Sequence, residues 1–288
     1  MRYNLKDEAS VDAEDAKIIQ QNRSFAKQRI RHIIIILLYK MISIGILSHY
    51  APKTLEYTLQ SYKAAGLFDV TDDIFAVLQM STRQNEEKAV CDSFQIRAIC
   101  LPDNGRMASG FKAIYENAKY EYILFLENDF VIHESPAKTI DFFKNIMYFM
   151  TSMNVDIVRG RSRTMAGEPN FAKIAFKNWD PSVFIHELHL SECIAWVEDP
   201  ELIYPSKISR IEPICGTDKW YKSSSASCCY TNNPYVCSKM FFKKAILPYI
   251  QFGCTIETEL TKKWSESDYI CVFGPGLFTH ERRFDGHR

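Results

Sequence analysis

The chain has 288 residues, 47% hydrophobic and 24% charged, enough to bury a large core and ordinary for a soluble globular protein. Its 35 basic side chains balance 35 acidic ones, so no overall basic field supports nucleic acid as a partner. The aromatic share of 13% suits a thick core and sugar or base stacking alike, and decides between neither.

Residues 1–32 read as a charged tail or exposed helix, acidic first and basic later, to which no chemistry is assigned. Asn22-Arg23-Ser24 matches a glycosylation sequon short enough to arise by chance. The run "IIIILLYKMISIGIL" (33–47) carries Lys40 in its middle and falls short of the roughly 20 apolar residues of a spanning helix. Its second half serves better as a strand, so membrane attachment is not expected, monotopic attachment being the alternative. The expected compartment is cytoplasmic or peripheral to a membrane, with a secretory-pathway lumen as the alternative.

Ile42 to Leu47 is the first predicted strand. Pro52 then suits a first helical turn, Leu55, Leu59 and Tyr62 recur on one helical face, and Gly66 ends the helix. Residues 73–81 and 94–102 predict the second and third strands. A helix follows with Phe111, Ile114 and Ala118 on one face, then a fourth strand, "YILFL". Ser135-Pro136 caps a long helix with Ile140, Phe143, Met147 and Met150 turned inward, and 155–160 is a fifth strand. Strands alternating with amphipathic helices predict an α/β fold with a doubly wound, parallel sheet. No GxGxxG or GxxxxGK[ST] is present, which removes the classical dinucleotide and P-loop readings. Residues 161–253, with Trp179, Trp196, Trp220, Tyr221, Tyr230 and Tyr235, read as an irregular elaboration over the carboxyl edge of the sheet.

The nine cysteines form no CxxC pair and no secretory signal pattern precedes them, so buried, reduced thiols are expected. An oxidising lumen would allow a disulfide among the last seven.

Beyond the fourth strand stand Glu127 and Asp129. Carboxylates are rarely buried unless paired or bound to a cation, and ligands of open α/β sheets bind beyond strand carboxyl ends. In extended chain, acids two apart project to one side, which suits Mg²⁺ or Mn²⁺. A solvated turn is the bland alternative.

The stretches "ISIGILSHYAPKTLEYTLQSY" (42–62) and "LPDNGRMASGFKAIYENAKYEYILFLENDF" (101–130) resemble the nucleotide-binding half of GT-A fold glycosyltransferases, family 2-like members above all. The resemblance covers roughly residues 41–160 in strand and helix order. It implies a GT-A, Rossmann-like, mostly parallel sheet flanked by helices. That would be a single domain over 33–288, with a nucleotide-binding half (41–160) and an acceptor-side half (161–288). By this resemblance Glu127 and Asp129 are metal ligands, Glu127 standing where the family has Asp, and the late His280 completes the shell. Ser48, His49, Tyr50, Asn104, Gly105, Arg106 and Asn128 would contact the nucleotide sugar. The physical case is that Gly105 permits close backbone approach and Arg106 can pair with phosphate. After strand two, "LQMSTRQNEE" offers no clear counterpart of the acid that contacts uracil. "CTIETELTKKW" (254–264) resembles the family's acid helix, with Glu257 as catalytic base and Glu259 as fallback.

The implied activity is metal-dependent, inverting transfer of a sugar from a nucleoside diphosphate sugar, UDP favoured over GDP, to a hydroxyl of a glycan, protein or lipid acceptor. A non-catalytic binding protein on a degenerate GT-A scaffold is the rival. A nucleotidyltransferase would want a glycine-rich loop that "LSHYAPKT" lacks. "HELH" (186–189) lacks zinc-protease spacing, and with Cys193 its two histidines make only three ligands. Arg159, Arg161 and Arg163 alternate onto one strand face, either as a diphosphate or acceptor contact or as a solvated edge.

Overall fold

The structure, a computed structural model, describes residues 41–168, 198–228 and 230–285. The chain divides into two units, Met1–Leu38 and Tyr39–Arg288, and every described residue belongs to the second. The sequon, the first half of the apolar run, Trp179, Trp196 and "HELH" lie outside the described residues.

Strand β1 (Ile42–Ser48) is buried along its whole length, as a strand covered on both faces must be. It feeds helix α1 (Pro52–Ala64), whose Leu55, Leu59 and Tyr62 are wholly buried, and Gly66 ends it with a φ of 70°. Strands β2 (Ile74–Leu78), β3 (Arg97–Cys100) and β4 (Tyr122–Glu127) lie parallel with β1 in the order β3-β2-β1-β4. Helix α2 (Gln84–Ser93) joins β2 to β3 and escapes the periodicity argument, because its buried residues are only Glu87 and Cys91. Helix α3 (Arg106–Asn117) packs Phe111 and Ile114 on the sheet. It approaches so closely that a Cβ on Gly45 would sit 2.3 Å from Ile114 and one on Gly110 2.3 Å from Leu47.

After β4 the chain turns at Asn128-Asp129 into the short strand β5 (Phe130–Ile132), then into α4 (Pro136–Ser152), capped by the Ser135 hydroxyl. Phe143, Met147 and Met150 of α4 are buried as predicted. Ile140 is 39% exposed, and the covered face widens instead over Phe142, Ile146 and Phe149. Strand β6 (Ile157–Arg161) follows, and β7 (Gly167–Glu168) pairs with the last strand.

The predicted irregular region holds a short helix α5 (Pro200–Ile203) and β8 (Ile208–Ile211), β9 (Trp220–Ser224) and β10 (Tyr235–Ser238), all in the same sheet. These four- and five-residue strands are too short to show a period. β10 runs antiparallel between β4 and β6, so the parallel run is interrupted and the sheet is mixed. A helical segment opened by α6 (Lys239–Phe241) leads to α7 (Ile256–Ser265). The last strand, β11 (Ile270–Glu281), passes through Gly274-Pro275-Gly276 as a bulge. Gly276 is required there: its φ is 69° and a Cβ would lie 1.9 Å from the Arg161 carbonyl oxygen.

The core on one face stacks Phe125 between Tyr235 and Phe242 at 5.0 and 4.8 Å. The other face gathers Phe142, Phe149 and Phe278 with Trp220. No disulfide links the described cysteines, and Cys91, Cys228, Cys237 and Cys271 are buried. Burial pushes the Cys91 thiol up to about 12, in keeping with an inert reduced thiol. Among the described residues no helix is long and apolar enough to cross a membrane.

Candidate active site

A cavity of about 510 Å³ opens beyond the carboxyl ends of β1, β2 and β4, where open α/β sheets bind ligands. Its acids are Glu127 and Asp129 from the β4–β5 turn and Glu257 from α7, and its cations are Arg106 and Arg282. β4 ends at Glu127, so a turn rather than extended backbone brings the two neighbouring acids to one cavity.

Asp129 is buried and accepts hydrogen bonds at Oδ2 from His280 Nε2 at 2.9 Å and Arg282 Nε at 3.1 Å. Burial alone would raise its carboxyl, but these two donors outweigh it and hold it below the usual range. Glu127 has the opposite fate. Burial first, then the negative charges of Asp129 and Glu257, push it up to about 8, with only the charge of Arg282 against them.

A divalent cation fits this pair in part. Asp129 Oδ1 is buried with no hydrogen-bond partner among the described residues, and no hydrogen bond offsets the desolvation of Glu127. Two such hard oxygens suit Mg²⁺ or Mn²⁺. His280, the expected third ligand, instead spends Nε2 on Asp129 and stacks its ring on Phe130 at 4.8 Å. The antiparallel register of β11 on β5, which sets His280 opposite Phe130, puts it there. Among the described residues no group of three His, Cys, Asp or Glu is placed to hold a metal ion.

Glu257 and Glu259 part company on α7. Ile256, Leu260 and Trp264 form the buried stripe. Glu257 flanks it, lines the cavity and accepts a hydrogen bond from Asn232 N at 2.8 Å, whereas Glu259 is exposed outside the cavity lining.

Of the expected nucleotide contacts, His49, Asn104, Arg106 and Asn128 line the cavity. Asn104 joins two loops: its Nδ2 meets His49 Nε2 at 2.9 Å and its Oδ1 accepts from Arg106 N at 3.0 Å. Arg106 has a φ of 56°, a left-handed conformation that costs a non-glycine residue on the order of 1 kcal/mol. Gly105 and Tyr50 lie outside the lining. The space over Gly105 is filled by Ser109 and Phe252 rather than left for a ligand, and Tyr50 is exposed beside the Arg83 guanidinium.

Ser48 lies behind the cavity. Its hydroxyl donates to Glu87 Oε1 at 2.5 Å and accepts from Asn128 Nδ2 at 2.8 Å. Glu87 is buried and also accepts from Ala51 N at 3.2 Å. Desolvation raises its carboxyl against these bonds. This chain of bonds ties α2, the β1–α1 loop and the acid turn together.

Arg159, Arg161 and Arg163 do not line the cavity. Arg161 bonds to Ala166 O and Asn233 Oδ1, both at 2.9 Å, and Arg163 lies over the Tyr221 ring. Sequence reasoning passed over Gln79 and Arg282. For Arg282 a signal existed, since it stands two residues from His280 at the end of β11.

No protein-family model matches the chain, and no curated protein matches it in sequence. Among solved structures it is similar to glucosyl-3-phosphoglycerate synthase from Mycobacterium tuberculosis in complex with phosphoglyceric acid. Identity there is 13% over 85% of this chain and 73% of that one, with a TM-score of 0.46. S. aureus TarS 1–349 is 11% identical, over 83% and 60% of the two chains, with a TM-score of 0.49. The mannosyltransferase PcManGT from Pyrobaculum calidifontis, in complex with GDP-Man and Mn²⁺, is 9% identical over 42% and 35%, with a TM-score of 0.36. At TM-scores below 0.5 these are distant likenesses, and they assign no activity to this chain.

Proposed function

We propose that this chain is a GT-A glycosyltransferase that moves a sugar from a nucleoside diphosphate sugar to an acceptor hydroxyl, its catalytic domain spanning residues 33–288. One observation carries the reading: Glu257, from a helix far along the chain, faces the Glu127–Asp129 pair across one cavity at the carboxyl edge of the sheet. Glu127 and Asp129 would hold Mn²⁺ or Mg²⁺, which supplies neutralisation of charge on a leaving diphosphate.

The chain's own residues do the rest. Asn104, His49 and Arg106 bind the donor at the β1 and α3 end of the cavity. The hydrogen bond from Asn232 N fixes Glu257 Oε1, and the carboxylate takes the proton of the acceptor hydroxyl as that oxygen bonds to the anomeric carbon. The bond from that carbon to the diphosphate oxygen breaks in the same step, and the nucleoside diphosphate leaves with its electron pair. Attack from the face opposite the leaving group inverts the anomeric centre. An α-linked product from an α-linked donor would refute that part.

A second reading, binding without transfer, is favoured by the engagement of His280 Nε2 with Asp129. One experiment separates the two. Purified protein is incubated with UDP- and GDP-sugars, Mn²⁺ and a panel of glycan, peptide and lipid acceptors, and both donor binding and released nucleoside diphosphate are measured beside Asp129→Asn and Glu257→Gln variants. Transfer predicts release that requires Mn²⁺ and Asp129, and that falls by about a hundredfold or more in Glu257→Gln with binding kept. Metal-dependent binding with no release for any acceptor supports the second reading. Absence of binding to every donor refutes both.

A further inference from the structure

Arg282 lies just past the end of β11, two residues from His280, and both side chains reach the same oxygen of Asp129. Its chain neighbours are anchored on both sides. Glu281 N donates to Asp129 O at 2.7 Å, and the Glu281 carboxylate meets His133 Nε2 at 2.6 Å. Asp285, three residues on, accepts from Thr54 N at 2.9 Å and pairs with Arg83 at 2.6 Å. The side chain itself is 52% exposed and lines the cavity.

A guanidinium carries five N–H donors in a planar fork. Here Nε is spent on Asp129, and among the described residues the two terminal amino groups hold no partner. The result is a cation on a fixed stalk, with four donors left at the wall of a cavity whose acids are Glu127, Asp129 and Glu257. A polyanion entering beside those acids is repelled unless a cation stands at the same edge, and Arg282 is the cation that touches Asp129.

We propose that Arg282 binds the diphosphate of the donor, its terminal amino groups taking non-bridging phosphate oxygens while Nε keeps Asp129 in place. This rests on the glycosyltransferase reading above and adds to it a binding residue from the far end of the chain.

The test is calorimetric titration of the full chain with UDP, GDP, inorganic pyrophosphate, uridine and guanosine, in Mn²⁺ and again in EDTA. Wild type is compared with Arg282→Met, which keeps the apolar stem, and Arg282→Lys. The expected result is diphosphate and pyrophosphate binding weakened by about tenfold or more in Arg282→Met, with nucleoside binding unchanged. Arg282→Lys should lose about threefold or more, because a point charge replaces the fork. Should the Met variant fail to fold, the Lys variant carries the test. Wild-type binding of UDP or GDP that survives unchanged in the variants overturns the proposal and leaves the transferase reading standing. Wild type that binds none of the diphosphates overturns both.

Discussion

Replacing Glu127 by Gln tests the electrostatics of the acid turn without changing its shape. The Glu127 carboxyl is raised from 4.5 to about 8 by burial and by the charges of Asp129 and Glu257. The folded protein therefore holds this proton more tightly than the unfolded chain does. Wild type loses stability as the pH rises through the window from 4.5 to about 8, and the loss is complete above it. At about 1.4 kcal/mol per pH unit the ceiling is about 5 kcal/mol. Water at the cavity mouth and proton sharing with Asp129 reduce this, so about 2 kcal/mol is expected. Gln cannot ionise and escapes the loss. In urea denaturation with EDTA, the Gln variant should match wild type near about pH 4 and exceed it by about 2 kcal/mol at about pH 8.5. Added Mn²⁺ should recover stability at the higher pH in wild type more than in the variant. A difference between the two proteins that stays constant across this range would refute the assignment of Glu127 as a desolvated, unpaired acid.

Two further outcomes concern the frame around the site. Helix α1 has no side-chain cap of its own at Ala51, and Asp285 accepts from Lys53 N and Thr54 N instead. Asp285→Ala should cost about 1–2 kcal/mol, read as a melting temperature lower by several degrees. Burial opposes ionisation of Asp285, but the α1 amides and Arg83 outweigh it and lower its carboxyl. Its contribution should accordingly be present above the ordinary aspartate range and vanish as the pH falls below it, and a pH-independent deficit would contradict this. Gly110→Val should destabilise by about 1–3 kcal/mol, since a Cβ there meets Leu47 at 2.3 Å. Leu47 lines the cavity, so donor binding should weaken too, and a variant with wild-type denaturation and binding would count against the close packing of α3 on β1.

Much of the nucleotide-side half was legible because its signals are local. Leu55, Leu59 and Tyr62 recur with the helical period and are buried together. "YILFL" is an apolar run ended by an acid, and it is β4. Helix α2 was not legible, since a charged surface helix whose buried residues are Glu87 and Cys91 has no stripe to read. Strands β8 to β10 were hidden for a related reason: a strand of four or five residues has no period, and β9 and β10 lie against β11, β4 and β6, which are distant in sequence. Ile140 was misread as inward because spacing alone does not say how wide a face its neighbours will cover.

The candidate site divides along the same line. Sequence alone determined that a carboxylate pair stands at the end of a buried strand, because a strand end is a property of near neighbours, while the late acid helix was legible only through its resemblance to the family's pattern. Tertiary structure decided which acids share a cavity. It turned Glu257 in and left Glu259 out, because Ile256, Leu260 and Trp264 must be buried. It gave His280 to Asp129 across 151 residues of sequence, through the pairing of β11 with β5. It also brought Arg282 to the acid turn. Such pairings arise from strand register and helix packing, which depend on the burial of residues far apart in the chain, and no local pattern encodes them.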